Sequence, residues 1–303
     1  RSGFIALIGR PNVGKSTLVN QLVGEKVAIT SPVAQTTRNR LRAILTTPKA
    51  QLIIVDTPGI HKPHHLLGER LVKTAMNSIG NVDLVVVVFD GSMPPGRGDA
   101  FIIEVLKKQK TPVLVVLNKS DLLKETDFMI RVDQYKSFLG NFSWPIRFCS
   151  ALRGNHCLQL VDEMINVLPA GPKLYPSDMI SDQPEKILLS ELIREQVLLN
   201  TREEVPHSVA VRIERIEEIP QNKEKSKNEV RTAVLATILV ERKSQKGILI
   251  GKDGSMLKTI GSTARIQMQN LIRGKVYLEL FVKVVPAWRS KPSQLAELGY
   301  EEN

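Results

Sequence analysis

Short apolar runs alternate with amphipathic stretches over residues 3–168. Phe4–Ile8, Gln51–Val55, Leu84–Phe89, Val113–Leu117 and Ile146–Cys149 read as buried strands, and helical spacing fills the intervals, as in Lys15–Val23 and Asp99–Lys107. Such alternation predicts a mostly parallel sheet with helices on both faces. Ligand loops then gather at the carboxyl ends of the strands. Pro169, Gly171, Pro172 and Pro176 break the pattern, because proline removes an amide donor and stops both helix and central strand. The chain is thus divided into 1–170, a Pro-rich linker at 171–180, and 181–303. The last part predicts a helix over 185–199, strands over 206–219 and 229–242, a helix–turn–helix over 244–271 and a strand over 275–285. The polar, Lys-rich stretch 221–228 reads as the loop between the first two strands.

Composition bounds this picture without changing it. The chain has 303 residues, 42% hydrophobic and 24% charged, which suits a globular protein of two domains. No apolar run is long enough to span a bilayer. The two cysteines, Cys149 and Cys157, form no CxxC pair, which argues against a zinc site or disulfide framework and for a reducing cytoplasm.

Charge does change it. The net charge of +11 points to a polyanionic partner, and its distribution is uneven. Residues 242–291 hold 11 basic and 2 acidic side chains, whereas residues 173–241 hold 10 basic and 13 acidic ones.

Four motifs stand at predicted strand ends. The first, Gly9-Arg10-Pro11-Asn12-Val13-Gly14-Lys15-Ser16 followed by Thr17, lies between a strand and a helix. In such a loop backbone N–H groups close around phosphate oxygens at the positive end of the helix dipole. Lys15 is expected to reach the β- and γ-phosphates, and Ser16 to place its hydroxyl on Mg2+. In the second, Asp56-Thr57-Pro58-Gly59, the carboxylate holds magnesium and the Gly59 N–H senses the γ-phosphate. Thr37 completes the metal shell, with Thr36 as the alternative.

Asn118-Lys119-Ser120-Asp121 and Ser150-Ala151-Leu152 read the base. Two oxygens of Asp121 match guanine N1–H and N2–H, a donor pair that adenine lacks, so the ligand is GTP or GDP. Asn118 contacts the base or ties loops together, the Lys119 stem packs on the ring, and the third loop offers a backbone N–H to guanine O6. Ile60 stands where Ras-like switches place a water-orienting glutamine, which predicts slow hydrolysis. Asn12 carries two readings, a ligand for a monovalent cation such as K+ or a residue that shapes the loop. His61, His64 and His65 lack metal-ligand partners and receive no catalytic role.

The basic segment holds Gly247-Ile248-Leu249-Ile250-Gly251-Lys252-Asp253-Gly254. A GXXG turn between two helices clamps a single-stranded backbone in KH domains. Gly251, Gly254, Lys252 and Asp253 form that turn, and Lys258 adds charge on the helix that follows. Ile248, Ile250, Leu257 and Ile260 are expected along the apolar groove, most of them also serving as core. Aromatic residues are scarce, which favours base-edge and aliphatic contacts over stacking.

A Ras-like P-loop GTPase domain, a Pro-rich linker and an α+β type II KH domain together resemble the Era family of ribosome-assembly GTPases. The resemblance runs through GRPNVGKST, QTTR, DTPG, NKSD, LPAGPKLYP, ILIGKDGSMLKTIG and the ending Glu297-Leu298-Gly299-Tyr300. The potassium-activated members of the wider class also carry an asparagine at the position of Asn12. The Era resemblance implies binding of the 3′ end of 16S ribosomal RNA and late maturation of the small ribosomal subunit. It also implies a cytoplasmic protein with some peripheral attachment to the inner membrane; the basic surface suits weak contact with anionic lipid, and no coiled coil or long exposed apolar segment argues for anything but a monomer. Two competing readings are a membrane-associated or tRNA-modifying GTPase with a generic basic domain, and a metabolic P-loop kinase, which Asn118–Asp121 argue against.

Overall fold

The computed structural model describes residues 1–33, 36–38, 40–60, 66–219 and 231–300. The chain divides into two compact units whose main boundary falls between Asp182 and Gln183, with Ser31–Val33 grouped with the second. In the first, β1 (Ser2–Ile8), β2 (Leu41–Thr46), β3 (Gln51–Asp56), β4 (Leu84–Asp90), β5 (Val113–Asn118) and β6 (Ile146–Phe148) form one sheet in the order β2-β3-β1-β4-β5-β6. Every pair is parallel except β2–β3. Parallel strands covered on both faces read as continuous apolar runs, as β4 and β5 do.

The helices are α1 (Lys15–Val23), α2 (Leu66–Ile79), α3 (Arg97–Leu106), α4 (Asp127–Leu139) and α5 (Cys157–Val167). Side chains from α2, α3 and α4, among them Ala75, Ile102 and Tyr135, pack over β1, β4 and β5 in one apolar core. Helix α1 packs on β2, β3 and α5.

Strand β2 was not expected. Its sequence, LRAILT, mixes Arg and Thr with apolar residues because it is an edge strand. Its free edge is occupied by the Pro-rich segment. Ile44 N–H donates to Ile180 O at 2.9 Å, Ala43 bridges Ser181, and Arg42 pairs with Asp182 at 2.9 Å. Buried Gln51 accepts from the N–H groups of Leu174 and Tyr175 at 2.7 and 2.9 Å and donates to Tyr175 O at 2.9 Å. Residues 171–182 are therefore part of the first unit.

The second unit contains α6 (Glu185–Asn200), α7 (Val205–Ser208), β7 (Ala210–Glu218), β8 (Arg231–Val240), α8 (Lys243–Ile250), α9 (Ser255–Ile272), β9 (Lys275–Val284) and α10 (Pro292–Glu297). The turn α7 occupies the start of the strand expected from 206, because Pro206 stands in its first turn, where a missing N–H costs nothing. The expected loop 221–228 lies outside the described residues. Strand β8 is central, antiparallel to β7 and parallel to β9. Ile193, Val234, Ile238, Ile260, Ala264 and Met268 belong to the core that α6 and α9 form with this sheet. Trp288 is fully buried and donates its indole N–H to Ser208 O at 2.8 Å, which fixes the segment that leads into α10. Among the described residues no helix is long and apolar enough to cross a membrane.

Candidate functional site

The first loop runs from the end of β1 into α1, so the amides at the start of that helix have no acceptor within it. Lys15 is buried, and its ammonium donates to Gly9 O at 3.1 Å and Arg10 O at 2.9 Å. Burial pushes its pKa down to about 8, against the opposing pull of Asp56. Asn12 has φ 64°, a left-handed conformation that asparagine tolerates, so it shapes the turn. The side chain of Arg10 turns to Asp99 of α3, with Nε 2.6 Å from Oδ1, which leaves its backbone to the loop.

The hydroxyl groups expected to hold the metal converge. Ser16 Oγ lies 2.8 Å from Thr37 Oγ1 and donates to Asp56 Oδ2 at 2.7 Å, while Thr37 Oγ1 is 3.3 Å from the same oxygen. Thr37, not Thr36, joins this cluster. Asp56 is fully buried, and its Oδ1 has no hydrogen-bond partner among the described residues. Burial raises its carboxyl above the ordinary range, opposed by Lys15 and by hydrogen bonds from Ser16 and Thr37. Three hard oxygen ligands with one orphaned carboxylate oxygen fit Mg2+, which takes one or two carboxylates and leaves other positions to water and phosphate.

Thr57 donates to Leu7 O at 2.6 Å, and Pro58 is buried. Gly59 lies so close to the first loop that a Cβ there would sit 2.7 Å from Pro11 N. Ile60 N–H donates to Gly9 O at 3.1 Å, while its side chain is buried in the sheet core. The side chain that replaces glutamine thus points away from where a nucleophilic water would stand. His61, His64 and His65 lie outside the described residues, as does Gln35 of the QTTR motif.

The base-reading residues are tied to the phosphate loop. Asn118 Nδ2 donates to Val13 O at 2.9 Å, and its Oδ1 accepts Ala151 N–H at 2.9 Å. The Ala151 amide thus serves loop closure here. Ser150 Oγ donates to Asp121 Oδ1 at 2.5 Å, orienting the carboxylate. Lys119 has φ 65°, and its ammonium meets Asp90 Oδ2 at 2.6 Å. Burial works to raise the Asp90 carboxyl, but hydrogen bonds from Lys119 and Ser92 outweigh it and hold it below the ordinary carboxylate range. Thr17, Lys26, Ala151 and Leu152 line an open cleft of about 420 Å3, with Leu152 strongly exposed.

In the second unit Gly251 ends α8 and Gly254 precedes α9, with φ of 72° and 76°. Asp253 between them has φ 53°, so three of the four turn residues, all but Lys252, have positive φ. Gly247 accepts the Gly251 N–H at 2.9 Å, Ile248 is 49% exposed, and Ile250 packs on the core. Ile260 is fully buried, so it belongs to the core and not to the groove. Lys252, Asp253 and Lys258 are exposed.

A groove of about 670 Å3 starts at Gly254 and runs past Leu257, Lys258 and Arg265 of α9 to Tyr277 and Leu280 of β9. Tyr277 is half-exposed and gives the groove an aromatic side chain that the reading of the sequence did not single out. Its signal lay in the alternation of KVYLELFVKV, which turns Val276 and Val282 inward and Tyr277 and Phe281 outward. Arg265 was missed because nothing local separates it from the other exposed cations of α9.

A phosphate loop, a switch motif and base-reading loops on a mostly parallel sheet define a P-loop GTPase unit, and the α-β-β-α-α-β unit with its GXXG turn defines a KH unit. The model of the 50S ribosome-binding GTPase family matches residues 4–119, and the KH domain model matches residues 204–289. GTPase Era of Nostoc sp. is 58% identical over 99% of this chain and 90% of its own length. GTPase Era of Crocosphaera subtropica is 54% identical over 99% of this chain and 92% of its own. Two crystal structures are similar over 99% of both chains with a TM-score of 0.93. One is Era with MgGDPNP and nucleotides 1506–1542 of 16S ribosomal RNA, at 38% identity; the other is a point variant of Aquifex aeolicus Era bound to GDP·AlF4−, at 37%. This chain belongs to the Era family of GTPases.

Proposed function

We propose that this GTPase is a nucleotide-controlled RNA binder whose target is the 3′ end of 16S ribosomal RNA and whose task is maturation of the small ribosomal subunit. The observation that carries the reading is the GXXG turn at the head of a groove edged by Lys258, Arg265 and Tyr277. Glycine at both ends lets phosphates approach the main chain, the cations neutralise them, and the ring offers a π face to an unstacked base. The complex of the similar Era with nucleotides 1506–1542 supports the choice of RNA.

In the first unit, Gly9–Thr17 cradle the phosphates, with Lys15 on the β- and γ-groups. Ser16, Thr37 and Asp56 would hold Mg2+, which would supply charge neutralisation to the phosphates. Asp121 and the Ser150–Leu152 loop select guanine. Gly59 senses the γ-phosphate, and since Ile60 has no polar side chain, water is oriented by backbone or a bound cation beside Asn12, which keeps intrinsic turnover slow.

The test is titration of the full chain with the 3′ terminal RNA segment and a scrambled control, in a GTP analogue and in GDP at one salt concentration. Sequence-selective binding that differs between the two nucleotides is the expected result. Equal, weak binding of both RNAs would reduce the groove to a generic basic surface. Turnover that stays the same when K+ is replaced by Na+ would remove the cation role of Asn12.

A further inference from the structure

The connection from β4 to α3 lies outside all four nucleotide motifs, yet a carboxylate at each of its ends grips a basic residue of one of them. Asp90, the last residue of β4, is paired in register with Asn118 of β5, and the next amide, Gly91 N–H, donates to Asn118 O at 2.7 Å. Its Oδ2 takes the Lys119 ammonium at 2.6 Å, and its Oδ1 accepts from Ser92 N–H at 3.1 Å and Ser92 Oγ at 2.5 Å. At the other end Asp99, in the first turn of α3, is fully buried. Its Oδ1 takes Arg10 Nε at 2.6 Å and its Oδ2 accepts Gly96 N–H at 2.8 Å. The Arg10 carbonyl in turn receives the Lys15 ammonium. Tyr135 of α4 braces the connection from behind, with its hydroxyl 3.4 Å from Asp90 O.

We propose that Asp90 and Asp99 are positioning residues that brace the two ends of the nucleotide site, Asp90 through Lys119 at the base and Asp99 through Arg10 at the phosphates. The inference rests on the assignment of the guanine and phosphate motifs made above. A lysine stem lies flat under a ring only if its ammonium is anchored away from the ligand, and Asp90 is that anchor. A buried carboxylate without its cation is strongly unfavourable, so Asp99 fixes Arg10 and with it the carbonyl that aims Lys15. The connection lies outside the nucleotide motifs, yet it sets how rigidly each end is presented.

Binding of GMP, GDP and GTP to the full chain, with thermal midpoints alongside, tests this. Asp90→Ala is expected to weaken all three nucleotides by a common factor of about ten, and Asp90→Ala with Lys119→Ala to bind no worse than Lys119→Ala alone. Asp99→Asn, which keeps the shape, is expected to leave GMP nearly unchanged and to weaken GDP and GTP. Its effect should vanish in an Arg10→Met background. Equal losses for all nucleotides in both variants that follow a fallen midpoint, or no loss with the midpoint intact, would overturn the proposal. Asp121→Asn separates the two levels: its amide should shift preference from GDP to xanthosine diphosphate. If it does not, the base-site assignment fails rather than the brace.

Discussion

The nucleotide site holds its charges inside the protein, whereas the KH groove holds them in water, although both are shaped to meet phosphate. Lys15 and Asp56 are buried, the ammonium on the Gly9 and Arg10 carbonyls and one carboxylate oxygen on Ser16 and Thr37, and both are displaced in pKa by that burial. Lys252, Lys258 and Arg265 stand exposed at and beside a turn in which Gly251, Asp253 and Gly254 have positive φ. Charges buried in low dielectric act strongly and over short range, and they cost free energy to leave unpaired. Exposed cations act by counterion release, weakly one at a time and additively. The first arrangement suits one small ligand in one pose; the second suits a long chain bound at many points.

The largest break expected between the two sites is Lys15→Ala. Removing a buried ammonium from two carbonyls and from the phosphates should weaken fluorescent GDP binding by at least roughly 100-fold, the scale of a lost buried charge contact. RNA binding without nucleotide should be unchanged. A parallel loss of RNA affinity in a folded variant would show that the two sites are not separable.

Gly254→Asp is the mirror test. The position has φ 76°, where an L side chain is strained, although a Cβ meets nothing within 4 Å. Strain of roughly 1 kcal/mol and a new negative charge beside phosphate should weaken RNA binding tenfold or more. GDP affinity, measured on the same preparation, should not move.

Inside the groove, Tyr277→Ala and Lys258→Ala sharpen the contrast between stacking and charge. Loss of a stacked base costs roughly 1–3 kcal/mol, so Tyr277→Ala should lower affinity without altering its salt dependence. Lys258→Ala should lower affinity less near physiological salt and reduce the slope of log K against log salt by about 0.7. If Tyr277→Ala changes the slope and Lys258→Ala does not, their roles are reversed.

The same contrast explains what could be read in advance. Nucleotide residues sit in contiguous loops at strand ends, where backbone conformation dictates residue type, so Gly9–Ser16 and Asn118–Asp121 were visible as strings. Groove residues are contributed singly by α9 and β9 and meet only after folding, so Arg265 carried no local mark and Tyr277 showed only in the alternation of its strand. Strand β2 escaped because an edge strand needs no apolar run, and Arg42 and Gln51 could not show that they would receive residues 171–182. Asp90 and Asp99 are two acids among many until Lys119 and Arg10 arrive from other elements.

The smallest effect concerns pH, and it belongs to the first unit alone. The folded carboxyl of Asp90 lies below the ordinary range, so its pairing stabilises the fold above the unfolded pKa of about 3.9 and is lost as pH falls through the folded value. Lys119 is partly exposed, which keeps the contribution to about 1 kcal/mol or less. The thermal midpoint of Asp90→Asn should therefore lie below that of the parent protein at pH 6, and the gap should close as the pH is lowered past 4. Lys258→Ala should show no such closing gap, because among the described residues no ion pair joins it to a carboxylate. A gap for Asp90→Asn that stays constant into acid would mean that the carboxylate is not held by Lys119, and the base end of the brace would then rest on the Gly91–Asn118 backbone bond alone.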